Sequence, residues 1–311
     1  MSVTEVKIEN GKQILVTGAT GYIGGRLVPR LLKEGYRIRC LVRKPTALQA
    51  KPWREGVEVT QGDVLEPNTL GPALKSVDSA YYLIHSMGGG EGFHDRDLMA
   101  AHNFASAAKQ AGVKNIIYLG GLGDPEADLS RHLRSRQETG EALRNSGAPV
   151  TEFRAAVVVG SGSLSFEMVR HLTERLPVMI CPRWVFTRIQ PIGIGDLLAY
   201  LTAAIETPDS VGEIIEIGGA DVLTYGDMML VFAHVRGLKR FLLPVPVLTP
   251  RLSSYWVNLV TPIPASVARP LIDGLRNEVV VRDNKAQQLF PGIKPIDYEN
   301  AVRLALNERE N

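Results

Sequence analysis

Residues 13–16 form a short apolar run that leads directly into Thr17-Gly18-Ala19-Thr20-Gly21-Tyr22-Ile23-Gly24 and then into a segment with helical spacing. This feature restricts the fold more than any other, because glycines at these intervals between a strand and a helix suit a βαβ unit that grips a diphosphate. Gly18 allows a tight turn, and Gly21 lets the main chain approach a pyrophosphate with no side chain between them. Gly24 permits close packing of helix on strand. The N–H groups that open a helix have no partners within it. Gly18, Thr20, Gly21, Tyr22, Ile23 and Gly24 are therefore the expected cofactor cradle.

The same rhythm continues through the first half of the chain. Apolar β-branched runs at 36–42, 57–60, 80–84 and 115–119 alternate with helix-period segments near 68–75 and 93–111. The pattern predicts an α/β fold, a Rossmann-like doubly wound parallel sheet with five strands before residue 120. Leu27, Val28, Leu31 and Leu32 recur at helical spacing, and Gly35 falls where a left-handed cap is expected. Pro29 within that helix would cost roughly 3 kcal/mol, which predicts a kink or a later helix start. After Pro149 the spacing predicts a long strand over 150–159, a loop over 160–163 and a helix over 166–175. Strands over 185–192 and 213–217 are expected to rejoin the main sheet, with Asp196 capping the helix between them. Thr224 and Asp227 imitate a capping box ahead of an apolar helix. The division expected is an NAD(P)-binding domain over 1–160 and a smaller C-terminal substrate region over 161–311.

A Rossmann site for NAD usually places a carboxylate about 20 residues beyond the glycines, on the ribose 2′-hydroxyl. Here Arg43 and Lys44 stand at that point. A guanidinium can pair with a 2′-phosphate that a carboxylate would repel, so NADP(H) is preferred over NAD(H), unless Arg43 is only a solvated loop charge. Gly62-Asp63-Val64 ends the third strand, where Asp63 and Val64 either meet the adenine or form a simple turn.

Thr17 to Gly24, the later Gly62-Asp63-Val64 and the run Ile217-Gly218-Gly219-Ala220-Asp221-Val222-Leu223-Thr224-Tyr225 resemble the extended and atypical short-chain dehydrogenase/reductases over most of residues 12–230. More narrowly, residues 82–90 and 118–123 resemble an atypical subgroup akin to the NmrA-like proteins. The resemblance implies a Rossmann fold, an NAD(P) cofactor and a small-molecule substrate. Active members of the wider family carry Tyr-x-x-x-Lys on the helix after the fifth strand, with Ser or Thr at that strand's end. Here Gly120 and Gly121 stand in the hydroxyl position, and the helix carries His132-Leu133-Arg134-Ser135-Arg136. The resemblance implies that His132 and Arg136 substitute for the tyrosine and lysine. Residues four apart share a helix face, so both could reach the nicotinamide end, His132 moving the proton and Arg136 holding ribose or oxyanion charge. An exposed basic face shared with Arg131 and Arg134 is the competing reading. His85 and Ser86 follow the fourth strand where such sheets place ligands, and His85 is a second acid/base candidate beside the glycines Gly88 to Gly90.

Composition narrows the functions further. A net charge of +2, with basic residues scattered over 311 positions, gives no surface for nucleic-acid phosphates. Cys40 and Cys181 are far apart and read as buried small hydrophobes. Residues 1–10 lack a basic n-region followed by an apolar stretch, which predicts a cytoplasmic protein. His94, His102, His171 and His234 have no metal-ligand spacing, so no metal is expected. The apolar stretch 241–259 is broken by Pro244, Pro246, Pro250 and Arg251, too soon for a spanning helix of roughly 20 residues. It reads as a wall of the substrate pocket or as a surface resting on lipid. The leading expectation is an NADP(H)-dependent oxidoreductase acting on an apolar carbonyl or enoyl compound. The alternatives are a non-catalytic NAD(P)H sensor or scaffold and a nucleotide-dependent epimerase or isomerase.

Overall fold

Every residue of the first strand, β1 (Gln13–Thr17), is buried, and successive side chains enter opposite layers. Ile14 and Val16 join one apolar cluster and Leu15 joins another. A strand buried on both faces requires helices above and below it. The architecture comes from a computed structural model that describes residues 11–84, 93–245 and 273–310.

From β1 the chain forms α1 (Tyr22–Lys33), β2 (Arg37–Val42), β3 (Glu58–Gln61), α2 (Leu70–Leu74), β4 (Ser79–Tyr82), α3 (Phe93–Gln110), β5 (Asn115–Gly121), α4 (Arg131–Asn145) and β6 (Val150–Ala155). There follow β7 (Val158–Val159), α5 (Leu164–Arg175), β8 (Val178–Pro182), β9 (Arg188–Ile189), β10 (Ile192–Gly193), α6 (Ile194–Ala203) and β11 (Ile214–Ile217). The last elements are β12 (Leu223–Thr224), α7 (Tyr225–Val235), β13 (Phe241–Val245), α8 (Lys285–Leu289) and α9 (Tyr298–Glu310). Among the described residues seven strands form one sheet in the order β11, β6, β5, β4, β1, β2, β3. All its pairings are parallel. The order reverses between β1 and β4, and a crevice opens at the carboxyl ends of strands at such a point.

One cluster packs α1, α6 and α8 on one face of the sheet, and a second packs α2 and α3 on the other. A third cluster joins α5, α7 and α9 with Leu275 and Val279. α1 ends in a Schellman motif: Gly35, with φ +83°, donates to Leu32, and Tyr36 donates to Leu31. The helix begins at Tyr22 and runs through Pro29, so the later start does not occur. Pro29 lies on the exposed face, while Leu27, Val28 and Leu31 are fully buried and hold the helix to the sheet.

Three local expectations are corrected. The strand expected over 150–159 breaks after Ala155, because its neighbours β5 and β11 both end opposite that residue. Residues 185–192 do not enter the main sheet. They begin in a 3-10 turn, Arg183–Phe186, and supply β9 to a ladder with β12 and β10 to a ladder with β7. Pro191 separates the two short strands and has no N–H for a ladder. Asp196 does not cap α6 but accepts from the Ile296 amide at 3.1 Å, tying the C-terminal segment down. The Thr224–Asp227 capping box forms as expected. Both cysteines are unpaired by disulfide and buried. Among the described residues no helix is long and apolar enough to cross a membrane.

Candidate active site

The glycine loop is shaped by contacts that only glycine allows. At Gly18, φ is +68° and a Cβ would lie 2.5 Å from the Leu83 carbonyl oxygen; at Gly24 it would collide with the Gly18 carbonyl. Thr17 locks the loop to the end of β4, donating from Oγ1 to Tyr81 O at 2.9 Å and accepting from the Leu83 amide at 3.0 Å. Gly21 differs, since a Cβ there would meet only the Gly18 carbonyl, at 3.2 Å, and the residue lines the cleft. The first turn of α1 has neither a side-chain cap nor an acidic residue. Uncapped amides, the positive end of the helix and a glycine in the path of any side chain together fit a diphosphate.

This cradle opens into a cleft of about 390 Å³ across the strand ends. Gly18, Gly21, Tyr22, Ile23 and Gly24 line one end of it, and His132, Leu133 and Arg136 of α4 line another part. Thr20 is exposed at the loop tip. The Tyr22 ring packs beneath the Arg26 guanidinium, 4.3 Å from its centroid, and burial raises the phenol pKa to about 12. Tyr22 opens α1 directly after Gly21 and lines the cleft.

Arg43 stands exposed two residues beyond the Thr17–Leu41 pair and is not among the residues that line the cleft. Asp63 accepts from the Leu65 amide at 3.0 Å through Oδ1, an Asx-type turn. Val64 is buried in the second cluster, and its carbonyl accepts from Asn103 at 3.1 Å. His85, with Ser86 and the following glycines, lies outside the described residues.

Ser130 caps α4, accepting from the Leu133 amide at 3.3 Å. Asn277 pins this start from across the molecule, accepting from the Ser130 amide at 3.0 Å and donating to Asp128 O at 2.9 Å. Arg131 and Arg134 face solvent, while His132 and Arg136 turn toward the cleft. Burial, reinforced by the Arg136 charge, pulls the His132 pKa down to about 4. Arg136 donates to the Leu119 carbonyl, and its own main-chain carbonyl accepts from the Tyr118 hydroxyl at 2.8 Å.

The missing hydroxyl at the end of β5 now has a steric reason. A Cβ at Gly121 would lie 3.0 Å from Leu133 Cδ2 and 3.4 Å from Arg136 Cδ. The Leu133 side chain is the tight neighbour, and Arg136 stands at ordinary contact distance behind it.

Several lining residues had no sequence signal. Leu164 and Met168 of α5, Ile189, Tyr225, Leu275 and Val279 complete the apolar wall. The expected wall over 241–259 is not found in its described part, because Phe241–Val245 forms β13, none of whose residues lines the cleft. The remainder of that stretch is outside the described residues. Among the described residues no group of three His, Cys, Asp or Glu could hold a metal ion.

Strand order, glycine cradle and a cleft at the switch point define a Rossmann-type α/β fold. Residues 10–175 match the NmrA-like family, and the chain belongs to it. It is 30% identical over 241 residues to the ceramide reductase of Caulobacter vibrioides, covering 75% of this chain and 73% of that one. It is 28% identical over 232 residues to the (4-alkanoyl-5-oxo-2,5-dihydrofuran-3-yl)methyl phosphate reductase of Streptomyces griseus, covering 72% and 74%. The solved NADPH-dependent quinone oxidoreductase of Escherichia coli, complexed with NADPH, shares the fold, with TM-score 0.74 at 23% identity over 96% of this chain and all of that one.

Proposed function

We propose that this protein is an NADP(H)-dependent oxidoreductase that reduces an apolar carbonyl or enoyl compound. The observation that carries the reading is the single cleft joining the glycine cradle to His132 and Arg136 between apolar walls. The two relatives named reductases support the reaction class. The cradle from Gly18 to Gly24 would hold the diphosphate and Arg43 the 2′-phosphate. The bound cofactor supplies a hydride.

A pKa of about 4 leaves His132 neutral at pH 7. Only about one molecule in a thousand would carry an imidazolium there. His132 therefore acts through the N–H of neutral imidazole, polarising the substrate oxygen, and water delivers the proton afterwards. Arg136 keeps N–H groups beyond the one directed to Leu119, and these stabilise the developing oxyanion.

The test is NADPH oxidation against long-chain ketones, enones and quinones. Turnover should fall by at least about 100-fold in His132→Ala while NADPH affinity is retained. Tight NADPH binding with no turnover across the panel would overturn the enzyme reading in favour of a sensor.

A further inference from the structure

The parallel ladder of β8 and β13 stands apart from the main sheet, and its two faces are of opposite character. Met179 and Cys181 point into the cluster that also holds Tyr225, and Leu242 packs against it. Val178, Ile180, Phe241 and Leu243 point the other way. The register sets Phe241 beside Val178 and Leu243 beside Ile180. These four keep 51% (Val178), 46% (Ile180), 67% (Phe241) and 53% (Leu243) of their surface exposed. A ladder with one face in water ordinarily carries polar residues there, so a contiguous group of four large apolar side chains marks a contact surface.

Charge at the rim selects the partner. Residues 174–183 and 236–245 hold Arg175, Arg183, Arg236, Lys239 and Arg240 against the single carboxylate of Glu174. Arg175, Arg183, Arg236 and Lys239 are exposed, and Arg236 pairs with Glu174 at 3.7 Å, which leaves Arg183 and Lys239 as the exposed cations nearest the two strands in sequence. Arg240 fastens the start of β13 to the end of α5, donating to the carbonyls of Thr173 and Glu174. A second copy seated on this face by a two-fold axis would set the cationic rims against each other. An anionic surface would attract them.

We propose that the outer face of β8 and β13 docks on the anionic surface of a lipid bilayer, with Phe241 and Leu243 entering the headgroup layer and the flanking cations meeting lipid phosphates. The surface lies beside the cleft. Gly226 is wedged between Leu242 and Phe186, which come within 3.1 and 3.2 Å of where its Cβ would be, and the preceding residue, Tyr225, lines the cleft. Docking would bring the apolar end of the site next to lipid. This inference does not depend on turnover, because vesicle binding is read directly.

The full chain is floated with vesicles of phosphatidylcholine alone and with about one-third phosphatidylglycerol. Binding should require the anionic lipid and should weaken in about 0.5 M salt, where exposed charges are screened. The double variant F241S/L243S should bind at least about tenfold more weakly, and K239E severalfold more weakly. Both variants alter exposed side chains, so unchanged NADPH affinity and circular dichroism would confirm that they fold. Absence of flotation with either vesicle would overturn the proposal, as would equal flotation of the double variant. A dimer in sedimentation that F241S/L243S dissolves, without flotation of the parent, would assign the face to a second copy instead.

Discussion

At the scale of single residues, His132 and Arg43 carry separable predictions. The His132 pKa falls from 6.5 to about 4 in the folded chain, because burial disfavours the charged ring and Arg136 adds to the effect. Between those values the unfolded chain binds more protons, so folding stability rises with pH across that window and is lost as pH falls through it. The full difference is roughly 3 kcal/mol, and His132→Gln should flatten it. Urea melts of both proteins at pH 4.5 and 7 measure this, and parallel curves would exclude a buried neutral imidazole. Arg43 is exposed, so its replacement should leave stability nearly unchanged. Arg43→Ala is expected to weaken NADPH by about tenfold or more and NADH hardly at all, since only NADPH has the 2′-phosphate. Equal losses in a titration of the two nucleotides would remove the basis for preferring NADP(H).

At the scale of elements, what the sequence made legible was whatever a segment decides by itself. The glycine loop, the Gly35 cap, the Thr224–Asp227 box and the buried strands of the first half all form where their own residues put them. What escaped depends on partners distant in the chain. β6 stops at Ala155 because two neighbours stop there, and Asp196 serves Ile296 a hundred residues away. The cleft shows the same division: local spacing already sets the glycine loop after a strand and His132 and Arg136 on one helix face, while the lining by Leu275 and Val279 depends on the distant chain. Asn277 is the clearest distant partner, because both of its side-chain hydrogen bonds go to the segment that starts α4. Asn277→Ala should cost about 1–2 kcal/mol and loosen the end of the helix that carries His132. Steady-state kinetics should show kcat reduced with the KM for NADPH nearly unchanged, because the cradle lies on another element. A change in that KM alone, with kcat intact, would contradict this role.

At the scale of the whole molecule, the later part of the chain completes the sheet and core that the first part begins. The largest cluster runs from Ile14 and Leu27 through Leu197 and Leu201 to Phe290, so α6 and α8 cover one face of the strands laid down before residue 160. Polar contacts cross in the same direction. The Tyr81 hydroxyl donates to Leu201 O at 2.7 Å in the interior, Thr151 donates to Ser210 O at 2.9 Å, and Arg26 reaches Ser161 O at 2.6 Å. β11 pairs with β6, whose buried Glu152 is held by Arg144 and Arg154. A fragment ending at residue 160 would lose β11, α6 and α8 together. It would expose the edge of β6 and the face lined by Leu27 and Leu31, and would leave the Tyr81 hydroxyl without its acceptor. Each fully buried aliphatic side chain returned to water forfeits about 1.5–3 kcal/mol, so losing several such burials exceeds the 5–15 kcal/mol that stabilises a typical domain. The 1–160 fragment is therefore expected to aggregate or to unfold without a cooperative transition, and to lose NADPH binding although every cradle residue is present. Expression of that fragment with a thermal melt and an NADPH titration decides the matter: a soluble fragment with one sharp transition and intact affinity would show that the N-terminal half is an autonomous domain.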